Sequence, residues 1–162
     1  METEIHDIID EADVRQLVDA FYGKVRRDEL LAPIFEPVIG NNWDHHLGRM
    51  TDFWSTLLLY TRKFNDDPLT KHLPLALTKE HFDRWLLLFH ETLDELFQGQ
   101  IAENAKKRAF SIARIMKAVS KLNSDEKRKC FSDQEYNSDL LAGIFHGDQL
   151  YGSATQIYCS GH

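Results

Sequence analysis

Apolar residues along this chain recur at steps of three and four. Val14, Leu17, Val18, Phe21, Tyr22 and Val25 form one such stripe, the spacing of a helix with a single buried face. Asp13, with Gln16 three positions on, reads as the N-cap of that helix. A second stripe runs Trp43, His46, Met50, Phe53 and Leu57, with Asn41 or Asn42 as its cap. A third follows Thr78 as cap and Glu80 in the first turn: Phe82, Trp85, Leu86, Phe89, Leu93 and Leu96, with Gly99 placed to end it. Ala102, Ala105, Ala109, Ile112, Met116 and Val119 make the fourth. Between the first two stripes, Pro33 and Pro37 predict a bent connection over residues 30–39 that carries Phe35. Residues 63–67 are polar and loop-like, and between Pro68 and Pro74 at most a short helical turn fits, so His72 is presented from a brief, restricted segment.

Composition agrees with an all-α chain. Leu occurs 20 times and Val 5 times, with 8 Gly and 4 Pro, whereas a sandwich or barrel needs more β-branched residues and more turn glycines. At 162 residues the chain fits one domain, or one domain and a tail. The periodic pattern stops after Leu122, so the expected division is a helical domain over 1–122 and a C-terminal tail over 123–162, with one short amphipathic helix over 140–145 at most. The apolar runs, such as residues 57–60 and 86–89, are too short to span a membrane. A net charge of −7 argues against nucleic acid or an anionic membrane as partner. The Met-Glu-Thr-Glu start lacks a basic and apolar leader, and the two cysteines, Cys130 and Cys159, are too few for a disulfide scaffold. A cytoplasmic protein is expected, monomeric or weakly dimeric.

The familiar motifs of metal and nucleophile chemistry are missing. Eight histidines make no His-x-x-x-His pair, no Glu-x-x-His and no His-Glu-x-x-His, and the chain has no Cys-x-x-Cys. There is no glycine-rich phosphate loop and no Gly-x-Ser-x-Gly elbow. What stands out is polarity on core stripes. Taken singly, His46 reads as a core-edge histidine, Tyr22 as a buried ring with a wet hydroxyl, Trp85 as core and His72 as a loop residue; His45, about 100° around the helix from His46, points to solvent or an edge. Taken together, a buried phenol, a core-face histidine and an indole donor come from three helices, with a further histidine on a presented turn. A large apolar cofactor with one open metal position uses all four, since haem iron is commonly held by one histidine while polar groups opposite govern its ligand.

At these residues the chain resembles a truncated haemoglobin, and within that family group III. The matching phrases are Phe21-Tyr22-Gly23-Lys24-Val25-Arg26-Arg27-Asp28, Pro33-Ile34-Phe35, Trp43-Asp44-His45-His46, Phe53-Trp54, Pro68-Leu69-Thr70-Lys71-His72-Leu73 and Phe82-Asp83-Arg84-Trp85-Leu86. They fall in family order from about residue 5 to residue 122. The resemblance implies a shortened globin, a two-over-two helical sandwich of bacterial type, holding haem b noncovalently. It makes His72 the proximal iron ligand, Tyr22 the distal hydroxyl, His46 the distal gate and Trp85 the distal indole. Phe35 would pack on the haem face, Met50, Phe53, Trp54 and Phe82 would line the pocket, and Lys71 would meet a propionate. The tail over 123–162 departs from the family, whose members usually stop earlier.

The expected function is binding of O₂ and other diatomics such as NO or CO, with redox or NO-detoxifying turnover open and dependent on an external electron donor, because the sequence encodes no reductase module. Two alternatives stay beside it. One is a gas or redox sensor that signals through the tail, which carries both cysteines and six Asp or Glu against three Lys or Arg. The other is a haem-free helical interaction domain. The pattern leaves open whether His46 itself binds iron at rest, giving six-coordinate rather than five-coordinate iron.

Overall fold

The computed structural model describes residues 4–68, 75 and 77–125, without the side chains of 122–125. Five helices lie within them: α1 (Glu11–Arg27), α2 (Ala32–Ile39), α3 (Trp43–Leu59), α4 (Lys79–Leu96) and α5 (Gln100–Asp125). His72, Lys71, the turn expected over 68–74 beyond its first residue, and the tail from residue 126 lie outside the described residues. So do Cys130 and Cys159.

Four long helices form a closed cycle: α1 packs on α3 and α4, α5 packs on α4 and α3, and α2 bridges back to α1. This is the α1/α3 pair laid over the α4/α5 pair, the two-over-two arrangement that the resemblance implied. The apolar stripes face inward as the periodicity predicts, and every residue of the first stripe is buried. On α3, Trp43, Phe53 and Leu57 are buried, whereas His46 and Met50 remain half-exposed. α5 continues to Asp125.

Three local expectations are corrected. α1 begins at Glu11, not near Asp13, because Asp10 is the cap: its carboxylate accepts the Asp13 N–H at 3.0 Å. Asp13 reciprocates by accepting the Ile9 N–H at 2.8 Å, so two aspartates share the helix start. The connection over 30–39 contains the helix α2 rather than only a bend. Pro33 sits in its first turn, where a missing N–H removes no helical bond. Pro37 lies inside, and a helix of 8 residues loses little to it before Gly40, at φ +56°, ends the helix. Third, α4 stops at Leu96, where the Phe97 N–H bonds the Leu93 carbonyl. Gly99, at φ +151°, instead serves the α4–α5 link, where a Cβ would collide with Asp7. Asp7 occupies that space to cap α5, accepting the N–H groups of Ile101 and Ala102 at 2.8 and 2.9 Å.

Candidate functional site

The inward aromatic residues do not close on one another completely. They leave a cleft of about 670 Å³, its solvent-open mouth included, with walls from all five helices. α1 contributes Tyr22, α2 Phe35, α3 Met50, Phe53 and Trp54, and α4 Phe82 and Trp85. All seven were singled out from the sequence. α5 adds Ile112, Ala113 and Met116, and Pro68, Leu77 and His81 complete the lining. A concave, mostly apolar lining with a few polar groups is the character of small-ligand and cofactor sites.

Tyr22 is held by aromatic edges. Its ring meets Phe21, Phe35, Trp43 and His46 in T-shaped contacts at centroid distances of 4.9, 6.5, 6.0 and 5.1 Å. Such edge-to-face packing fixes a ring more narrowly than apolar area alone. The Tyr22 side chain is buried, and its hydroxyl has no hydrogen-bond partner among the described residues. Burial raises its pKa far above the usual tyrosine range, so it stays protonated and able to donate. Trp85 stands across from Phe21 at 5.6 Å and stacks in parallel on Phe89 at 5.5 Å. Its indole N–H likewise bonds no described residue. Trp54 stacks on the other neighbour of this group, Phe89, at 4.6 Å.

His46 stands beside the cleft rather than in its lining. Its ring lies edge-on to Tyr22 at 5.1 Å and to Trp43 at 5.7 Å. Trp43 is itself clamped: its indole N–H donates to Glu36 at 3.3 Å, and the Arg26 guanidinium lies 4.5 Å over its ring. Arg26 also donates to Glu36 at 3.0 Å, closing a ring of contacts among α1, α2 and α3. His45 is exposed.

Sequence reasoning missed several lining residues. Ile112 and Met116 lie on the fourth stripe, and an apolar stripe carries no mark that separates packing from cavity wall. His81 had a signal, three positions after the Thr78 cap, where a side chain can reach back to the cap. Its Nδ1 accepts the Thr78 N–H at 2.9 Å. Among the described residues no group of three or more His, Cys, Asp and Glu could hold a metal ion, and no described helix is long and apolar enough to cross a membrane.

Helices crossed in two pairs around an aromatic cleft are the build of a globin. The "Bacterial-like globin" family model matches residues 5–121, and the chain belongs to that family. Within it the likeness is to truncated haemoglobins. The chain is 35% identical over 111 residues to the group 3 truncated hemoglobin ctb of Campylobacter jejuni, covering 66% of this chain and 87% of that one. It is 31% identical over 100 residues to the group 2 truncated hemoglobin YjbI of Bacillus subtilis, covering 60% and 76%. The crystal structure of the group III truncated hemoglobin from Campylobacter jejuni matches with a TM-score of 0.67 and 33% identity, over 71% of this chain and 94% of that one.

Proposed function

We propose that this chain binds haem b noncovalently in the cleft and holds diatomic ligands, O₂, NO or CO, beside Tyr22 and Trp85. The observation that carries this reading is Tyr22, whose ring is packed among four aromatic neighbours, whose side chain lines the cleft and whose hydroxyl bonds no described residue. A hydrogen-bond donor on an otherwise apolar wall is the kind of polar group that orients a ligand in such a cleft. The cleft also fits the cofactor in kind: its walls are aromatic and aliphatic, as a large flat macrocycle requires, and its few polar groups are donors.

When bound, haem supplies an iron that takes a diatomic ligand and can exchange electrons. His72, outside the described residues, is the ligand to that iron on the resemblance alone. Phe35, Met50, Phe53, Trp54 and Phe82 exclude water and hold the macrocycle by apolar contact, and Lys71 is the expected partner of a propionate. Tyr22 O–H and Trp85 N–H donate to the electronegative end of the ligand. Each neutral hydrogen bond is worth about 1 kcal/mol net, so the pair slows ligand escape by on the order of tenfold to a hundredfold. His46, packed on the Tyr22 ring, is placed to orient it and to serve as a gate.

The test is an absorption spectrum of the purified protein after hemin addition and removal of unbound hemin by gel filtration, oxidised, dithionite-reduced and reduced under CO. An intense Soret band that moves with CO is expected. No Soret band after hemin addition overturns the reading, and His72→Ala is expected to abolish it.

A further inference from the structure

We propose that His81 anchors a carboxylate of the cofactor at the mouth of the cleft, as a fixed hydrogen-bond donor and not as an iron ligand. The proposal rests on the haem reading above. Haem b is apolar over its faces and carries two carboxylates on one edge. An ionised carboxylate cannot lie against Phe35, Phe53 or Ile112 without a large desolvation cost. That edge therefore lies at the mouth of the cleft, where water and the donors of the lining can meet it.

Among the described lining residues, only Tyr22, Trp54, Trp85 and His81 carry side-chain donors. Tyr22 and Trp54 are buried, and both tryptophan rings are committed to stacking on Phe89. His81 and Trp85 are partly exposed, but of the four only His81 lies in the first turn of α4 and is free of stacking on Phe89.

Its ring nitrogens are already assigned by the fold. Nδ1 lies 2.9 Å from the Thr78 backbone nitrogen and 3.1 Å from the Thr78 hydroxyl. A backbone N–H can only donate, so Nδ1 is an acceptor, and the proton of the neutral ring sits on Nε2. A protonated Nε2 has no lone pair for a metal. It has a hydrogen for an anion, and no described residue takes that hydrogen. The first turn of an α-helix adds its own positive potential at the same place.

Two variants and two cofactors separate this role from packing. His81→Phe removes the donor. His81→Gln keeps an N–H donor and an acceptor for the Thr78 N–H. Each is loaded with hemin or with hemin dimethyl ester, which lacks the charges, and cofactor loss to excess apomyoglobin is followed by absorbance. His81→Phe should lose hemin about tenfold faster than wild type, the lower end for a hydrogen bond to a charged group. It should lose the dimethyl ester at the wild-type rate, and His81→Gln should restore hemin retention. The ferric and CO-bound Soret positions should not move in either variant. Equal acceleration for hemin and its ester would mean a packing or capping role and overturn the proposal. So would a wild-type hemin loss rate in His81→Phe, or a Soret shift reporting lost iron ligation. A wild-type chain that takes up no hemin would instead overturn the haem reading, and this proposal with it.

Discussion

The contribution of the Tyr22 hydroxyl can be measured without any ligand. It lines the cleft and bonds no described residue, so the cofactor-free chain gains no hydrogen bond from it. Tyr22→Phe keeps the four ring contacts and removes only the oxygen. The variant should therefore unfold in urea at the wild-type midpoint or up to about 1 kcal/mol higher, whereas the loaded form should release O₂ about tenfold faster. A clear loss of stability in the cofactor-free variant would show that the hydroxyl is bonded within the fold. The same residue leaves an alkaline signature. Burial holds its pKa above the ordinary 10.0, so above about pH 10 the unfolded chain releases a proton that the folded chain retains. Stability contributed below pH 10 is then lost as pH rises, by about 1.4 kcal/mol per unit until the folded phenol ionises. Urea midpoints between pH 9 and 11 should fall less steeply in Tyr22→Phe than in wild type.

Between elements, the more buried of the ion pairs that tie the end of α1 to α4 is Asp28 with Arg84. The Asp28 side chain is 4% exposed and accepts Arg84 Nε at 2.6 Å, along with the N–H groups of Leu30 and Leu31 at 3.0 Å each. Burial alone pushes its carboxyl up, but the Arg84 hydrogen bond and the two backbone N–H groups outweigh that and hold it below the usual 3.8. The pairing therefore stabilises at neutral pH and is lost as pH falls through that depressed value. Arg84→Ala strands a buried carboxylate that keeps only its backbone donors, and should lower unfolding free energy at pH 7 by about 2 kcal/mol, less than a fully buried pair because Arg84 is half in solvent. A loss under about 0.5 kcal/mol would class it with surface ion pairs. Both residues stood in the recognisable phrases of the sequence, yet nothing in helical spacing couples positions 56 residues apart. α2 was illegible for a different reason: its two prolines read as breakers, and only the finished turn shows that one sits where no N–H is needed.

At the scale of the whole molecule, the stripes foretold which faces turn inward and left unsaid that five inward faces fail to meet. Packing and cavity use the same apolar residues at the same spacing, so Ile112 and Met116 were legible as core and not as wall. Tyr22 and Trp85 drew notice as polar groups on core stripes, but their place and that of the aromatic lining were legible only through the specific family phrases around them. A cleft walled by every helix has a thermodynamic consequence. On the proposed reading, hemin in this cleft touches all the described helices at once and binds only the folded state. Folding is then stabilised by mass action, about 2.7 kcal/mol at a free ligand concentration one hundred times Kd. For a domain of this size that is roughly 5–15 °C in Tm. Thermal unfolding followed by circular dichroism at 222 nm should show Tm climbing with hemin concentration and continuing to climb logarithmically beyond saturation. A Tm that does not move while a Soret band is present would place hemin on the surface instead of between the helices.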